Sequence, residues 1–234
     1  MPASSATASL STRAGSGAAP VRAARKGQIT RAAIIEQALA MARREGLEGL
    51  TIGALAERLD MSKSGVFSHF GSREELQLAV LKHYAAGFVE AVLQPAVARP
   101  RGLPRLRALL ENWLVLLAEE IEAGCILIGA ASEYDDRPGP LHDALVAIVE
   151  GWKGEVLRAV RLAQSEGHLD RHADPHQMVF EIYGAMLMLH QDARLLRSTQ
   201  SVLRARIALA RLIDAARPRT APARTDRRRR RTPH

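Results

Sequence analysis

The sequence has little of what a disulfide-linked, membrane-spanning or β-rich protein requires. Its one cysteine, Cys125, excludes an internal disulfide and fits a reducing compartment. Aromatic residues make up 4% of the 234 residues, and no segment shows the alternation typical of a half-buried strand. No apolar run approaches the length of a membrane span, and the N-terminus lacks the apolar core of a secretory signal. Abundant Ala, Leu and Arg favour an all-α fold instead.

The net charge of +8 is concentrated at the two ends of the chain. Residues 1–27 carry four basic side chains and no acid, and residues 217–234 carry eight arginines and one aspartate, so residues 28–216 have a net charge of −3. Low apolar content predicts a disordered basic arm over residues 1–27 and a disordered Arg-rich tail over residues 217–234. Such segments either raise the affinity for polyanions or serve only as solvated extensions, and the composition favours neither.

Helical periodicity predicts three short helices in residues 28–84. Each begins after a residue that favours the N-cap position, namely Thr30, Thr51 or Ser62. We expect these helices over residues 31–45, 51–59 and 62–70. The sequence SREE at residues 72–75 is a capping box and predicts a fourth helix that continues to about residue 94, ahead of Pro95.

Residues 95–216 are predicted to form a second, helical domain. A linker rich in Pro, Gly and Arg comes first, and longer segments with helical spacing follow. His168, His172 and His176 recur every four residues, which on a helix would suit a zinc ion. Gly167 and Pro175 instead place them in a loop, so we expect neither a metal site nor a cofactor.

The third predicted helix is too polar for a core helix. It offers only Val66, Phe67 and Phe70 for burial, whereas a core helix presents an apolar stripe at least about 100° wide. A short turn followed by a small, polar second helix is typical of a helix-turn-helix, whose second helix enters the DNA major groove. A short surface helix of any helical bundle is the alternative that the composition leaves open.

Residues 51–81, TIGALAERLDMSKSGVFSHFGSREELQLAVL, resemble the DNA-binding domain of the tetracycline-repressor (TetR) family. The shared features are the Thr-initiated second helix, the Ser-Lys-Ser-Gly recognition helix, the aromatic-x-His-Phe end and the Ser-Arg-Glu-Glu-Leu start of the next helix. The similarity covers residues 29 to about 82 and is architectural beyond residue 95. It implies an N-terminal three-helix helix-turn-helix domain and a C-terminal helical domain for ligand binding and dimerisation.

The resemblance also implies a set of DNA-contacting residues: Thr51, Ser62, Lys63, Ser64, Gly65, Phe67, Ser68, His69 and Arg73. The family commonly has Tyr at the position of Phe67, and the missing hydroxyl removes a phosphate hydrogen bond worth about 1 kcal/mol. Residues 28–84 contain seven basic and seven acidic side chains. We therefore hypothesise that the basic N-terminal arm adds to DNA affinity.

Apolar residues with scattered polar ones on the long helices are either plain core or, as the resemblance implies, the wall of a largely apolar effector cavity. The candidates are Phe88, Val92, Trp113, Leu117, Cys125, Trp152, Tyr183 and Met186. The family dimerises through its last two helices, which implies an interface formed by Gly184, Leu187, Ala205, Ala208, Leu209 and Leu212.

The expected function is that of a bacterial, cytoplasmic transcription regulator that responds to a ligand. A homodimeric repressor would bind a palindromic double-stranded DNA operator and would be released by a small-molecule effector. The alternative is a sequence-tolerant nucleic-acid binder that acts through its basic tails. We do not expect an enzyme or a membrane protein, since nothing places a general base beside a nucleophile.

Overall fold

Ten α-helices and one π-helical turn are the regular elements of residues 18–218, the range that this computed structural model describes; side chains are described for residues 30–218. No strand occurs in that range, which agrees with the expected all-α class. The elements in chain order are α1 (Ala18–Glu45), α2 (Ile52–Arg58), α3 (Lys63–Phe70), α4 (Arg73–Phe88), the π-helical turn (Val89–Leu93), α5 (Gln94–Val97), α6 (Leu103–Ala123), α7 (Ile126–Tyr134), α8 (Pro140–Ser165), α9 (Pro175–Arg194) and α10 (Ser201–Ala215).

The starts of α2, α3 and α4 confirm three N-caps expected from the sequence. The hydroxyl oxygens of Thr51, Ser62 and Ser72 each accept a hydrogen bond from the backbone N–H three residues later, at 3.2, 3.0 and 3.0 Å. Each bond satisfies a donor that has no partner within its helix. Asp60 makes the turn between α2 and α3 with a φ of 51°, so the chain can reverse over very few residues.

The expected start of α1 is wrong. The helix begins at Ala18, and Thr30 lies inside it rather than at its N-cap. Residues 18–29 are rich in Ala, Arg and Lys, which favour helix, and Pro20 lies in the first turn, where no backbone donor is needed. The remainder of the predicted basic arm and nearly all of the Arg-rich tail lie outside the described residues.

The helix that starts at Arg73 does not end before Pro95. It continues through the π-helical turn and α5 as far as Val97. The N–H of Gln94 donates to the carbonyl of Val89, five residues back, so the backbone is widened immediately before proline, which has no N–H to donate. One 18-residue window of this helix has a mean hydropathy of 1.2, so by length and composition alone the helix could cross a membrane; 44% of that window is buried inside the molecule.

One hydrophobic core extends through both predicted domains, from Ile34 in α1 to Ile213 in α10. Helix α4 packs against α1 on the DNA-binding side and against α8 on the other side. Helices α6, α8, α9 and α10 pack around one another, and α9 and α10 form an extensive pair. The two domains are therefore joined by packing and not only by the chain.

Substituting Gly124 should test the contact between α1 and the end of α6. Gly124 has a φ of 98°, and a Cβ there would overlap the carbonyl oxygen of Arg43. We expect Gly124→Ala to lower the free energy of unfolding by about 1–3 kcal/mol, measured by urea denaturation. The matched control is Gly154→Ala in α8, where a Cβ meets nothing within 4 Å. An equal change in the free energy of unfolding in both variants would contradict a close contact between Gly124 and the Arg43 carbonyl.

Candidate nucleic-acid interface and cavity

Helix α3 presents a polar surface on the outside of the N-terminal domain. Val66 and Phe70 are buried, as expected, and Gly65 and His69 are half-buried. Arg73 is also half-buried, and the other six candidates for DNA contact are exposed: Thr51, Ser62, Lys63, Ser64, Phe67 and Ser68. The Phe67 side chain is 51% exposed, an apolar ring in a polar surface. Such a surface suits the edges of base pairs, which offer both hydrogen-bonding groups and thymine methyls.

The Lys63 side chain lies over the first turn of α2. A Cβ on Gly53 would be 3.5 Å from Nζ of Lys63, so the ammonium group is close to the helix that Thr51 caps. Thr51 and Lys63 therefore lie on one exposed surface, where a phosphate oxygen can meet a hydroxyl and a cation together. Their contact with DNA stays a prediction.

Arg73 has partners inside the protein rather than an open position. Its Nε donates to the carbonyl of Leu50 at 2.9 Å, and its NH2 group bonds to the carbonyl and the carboxylate of Glu48. These bonds tie the start of α4 to the α1–α2 turn, residues 46–50. The guanidinium is thus already engaged within the protein, and the phosphate contact that the family resemblance implies for Arg73 stays a prediction.

The α1–α2 turn is also held from the C-terminal domain. Tyr134, the last residue of α7, donates its hydroxyl to Glu48 at 2.7 Å, and Arg137 donates to the same carboxylate oxygen at 3.1 Å. From α4, the side chain of Gln77 donates to the carbonyl of Leu47 at 2.6 Å. The hydrogen bond from Tyr134, followed by those from Arg73, lowers the pKa of Glu48 below its ordinary value of 4.5. Sequence reasoning missed these interactions, since their members are far apart along the chain.

A cavity of about 630 Å³ lies between α4, α6, α7, α8 and α9. Seven of the eight candidates expected from the sequence line it: Phe88, Trp113, Leu117, Cys125, Trp152, Tyr183 and Met186. Val92 does not line it and is fully buried, because the π-helical turn directs Val89 and Leu93 to the cavity instead. Sequence reasoning also missed the wall that α7 contributes, Leu127, Ile128 and Ala131, whose apolar helical spacing was the available signal.

Four aromatic rings form a cluster in the cavity wall. The centroids of Phe88 and Trp152 are 4.7 Å apart, those of Trp113 and Trp152 are 5.2 Å apart, and Trp113 and Tyr183 are 5.0 Å apart. All three pairs pack edge to face, an arrangement that aromatic quadrupoles favour. Burial raises the pKa of Tyr183, so its phenol is neutral near pH 7.

A buried polar group lies directly behind the cavity. Glu120 accepts a hydrogen bond from Tyr84 at 2.8 Å and pairs with Arg43 at 2.7 Å, and the Tyr84 oxygen is 3.4 Å from the sulfur of Cys125. Burial raises the pKa values of Glu120, Tyr84 and Cys125. Cys125 is therefore a buried thiol and not a thiolate. Glu120 follows Trp113 and Leu117 at apolar helical spacing, which was a signal for an internal carboxylate.

The outer face of α9 and α10 is apolar and exposed. Of the six residues expected at a dimer interface, Gly184, Leu187 and Ala208 are exposed there, and Leu212 is half-buried. Ala205 and Leu209 were wrongly placed, since both are buried in the core of the subunit. The exposed face contains larger residues that sequence reasoning missed: Phe180, Met188, Leu195, Leu203 and Ile207. An apolar surface of this kind marks a candidate interaction site.

The three spaced histidines do not form a site in the structure. Nδ1 of His168 accepts the N–H of Leu103, and Nε2 of His176 contacts Arg161 at 3.1 Å. Within residues 30–218, no group of three metal-ligating side chains is close enough to hold an ion.

Comparison with known families settles which family this architecture represents. Residues 34–80 match the model for bacterial regulatory proteins of the tetR family, and residues 102–209 match that for the tetracyclin repressor-like C-terminal domain. The chain belongs to the TetR family. The resemblance seen in the sequence is thereby confirmed for both halves of the protein.

Relatives agree with this assignment. The HTH-type transcriptional regulator TcmR of Streptomyces glaucescens is 28% identical over 148 residues, which are 63% of this chain and 60% of that protein. A TetR regulator from Chloroflexus aurantiacus superposes with a TM-score of 0.73 at 26% identity, covering 81% of this chain and 96% of that one. AibR, solved with isovaleryl coenzyme A and operator DNA, gives a TM-score of 0.58 at 23% identity over 69% of this chain and 85% of its own, and shows the shared fold.

Glu48→Gln should reveal the contribution of the α1–α2 turn through its pH dependence. Because the folded-state pKa of Glu48 is lowered, its stabilising contribution is present above pH 4.5 and is lost as the pH falls through the folded-state pKa. We expect urea unfolding at pH 7 to show a loss of about 0.5–1 kcal/mol, small because the group is largely exposed. The loss should shrink at about pH 3. Glu57→Gln, an exposed control in α2, should lower the free energy of unfolding at pH 7 by less than Glu48→Gln does. A loss for Glu48→Gln that is the same at pH 7 and pH 3 would contradict the role given to this carboxylate.

Proposed function

We propose that the chain is a homodimeric, ligand-responsive repressor that binds a palindromic operator in double-stranded DNA and is released by a small-molecule effector. The exposed side chains of α3 read base edges, and Thr51 and Lys63 position the protein on the phosphates. The exposed face of α9 and α10 joins two subunits, so that two recognition helices meet two half-sites.

The observation that carries this proposal is a physical connection between the cavity and the DNA-binding surface. The helix that begins at Arg73, beside the α1–α2 turn, reaches the cavity wall at Phe88, Val89 and Leu93 without interruption. Helix α7 makes a second connection, since it lines the cavity at Ile128 and ends in the hydrogen bond from Tyr134 to the turn.

An effector in the cavity would therefore contact α4 and α7, the two helices whose side chains hold the α1–α2 turn of the DNA-binding domain. An effector that binds better when these two helices are displaced shifts the dimer toward a spacing that no longer fits the operator. The complex of AibR with a coenzyme A thioester and operator DNA supports this assignment, since that protein with the same fold takes both kinds of partner.

Selection of bound genomic DNA fragments with the purified full chain at near-physiological salt is the direct test. We expect a short palindrome. Lys63→Ala should weaken binding and flatten the dependence of log affinity on log salt by about 0.9 for each phosphate that the variant no longer neutralises. Lys153→Ala, an exposed control in α8, should leave affinity and slope unchanged.

Diffuse enrichment without a motif would contradict the proposal if binding also disappears when residues 217–234 are removed. That result would establish the alternative, a sequence-tolerant binder that acts through its arginine tail.

Ile207→Glu should dissociate the proposed dimer. Ile207 is 43% exposed on the apolar face of α10, and a buried unpaired carboxylate there would oppose association. Size-exclusion chromatography with light scattering should show a folded monomer, together with a loss of operator affinity. Val115→Glu on α6, where the native side chain is 42% exposed, is the matched control and should remain dimeric. A monomeric wild-type protein would refute this interface.

A further inference from the structure

The cavity wall has an unbalanced charge. Among the described residues that line it there is no Lys, Arg or His, and the one charged side chain is Glu155 in α8. Its carboxylate pairs with Arg158 at 3.2 Å on the same helix, and the Arg158 side chain is 74% exposed. An exposed pair at this spacing contributes little, so Glu155 is available to a stronger partner.

Glu155 lies one helical turn after Trp152, and both line the same cavity. The carboxylate therefore borders the same space as the cluster of Phe88, Trp113, Trp152 and Tyr183. All four aromatic side chains line the cavity, so a guest molecule would lie against them. Aromatic faces attract cations, and several of them together with a carboxylate suit an organic ammonium.

We propose that the effector is an organic cation: an apolar or aromatic body carrying an ammonium group, which Glu155 and the aromatic cluster hold. This rests on the proposed function and narrows its effector to one charge class. A carboxylate or phosphate in the same place would meet a like charge, and Arg158, which pairs with that carboxylate, does not line the cavity. A neutral molecule would fill the apolar volume but would gain no electrostatic attraction from Glu155 or from the aromatic rings.

Three probes of nearly identical shape isolate the charge: benzyltrimethylammonium, its neutral carbon analogue neopentylbenzene, and the anion 2,2-dimethyl-3-phenylpropanoate. Binding to the full-length protein would be followed by tryptophan fluorescence in the absence of DNA. We expect the cation to bind about tenfold or more tightly than the neutral analogue, and the anion to bind most weakly. Glu155→Gln should abolish most of the preference for the cation over the neutral probe, whereas Glu119→Gln, an exposed carboxylate on α6, should leave it intact.

Equal or tighter binding of the neutral probe or of the anion would overturn this inference, and so would a cation preference that survives Glu155→Gln. A failure of the proposed repressor function gives a different result from a failure of the cation proposal. A protein that selects no operator but retains the Glu155-dependent preference would be a cation-binding protein of another kind. A protein that selects an operator without the preference would be a regulator of another effector class.

Discussion

The ion pair between Arg43 and Glu120 joins the helix that leads into the DNA-binding domain to a helix of the cavity domain. The Glu120 side chain is 4% exposed, and its second oxygen accepts the hydroxyl proton of Tyr84 from α4. Removal of Arg43 would leave the buried Glu120 carboxylate without a compensating charge, which is destabilising. Helices α1, α4 and α6 are therefore held in one arrangement. Any movement of one helix relative to the others has to preserve the bonds of Glu120 to Arg43 and to Tyr84.

The cavity lies directly beside the buried group formed by Arg43, Glu120 and Tyr84. Cys125 both lines the cavity and lies 3.4 Å from the Tyr84 oxygen, so the guest space and the buried polar group share a wall. Helix α7 starts immediately after Cys125 and ends at Tyr134, whose hydroxyl donates a hydrogen bond to Glu48. Under the proposed function, an effector acts on two short, stiff connections to the α1–α2 turn and not on a flexible linker.

Much of the fold could be predicted because its signals are local. Thr51, Ser62 and Ser72 cap helices through hydrogen bonds that span three residues, and apolar spacing of three and four marks the buried side of each helix. The polar helix α3 was recognised because Val66, Phe67 and Phe70 alone are too few to make a core helix. Large aromatic residues identified the aromatic part of the cavity wall, since such side chains on several long helices converge wherever those helices pack.

The sequence by itself determined the all-α class, the N-caps of α2, α3 and α4, and the helix-turn-helix, because these depend on contacts within a few residues. Only the tertiary structure decided which residues of a helix face the cavity, which face the core of the subunit and which bond to side chains of other helices. A π-helical turn placed Val89 and Leu93, not Val92, in the cavity wall, and close packing buried Ala205 and Leu209 within one subunit. The partners of Glu48 and Glu120 lie up to 89 residues away along the chain. Such contacts arise from the packing of whole helices, and no local pattern specifies them.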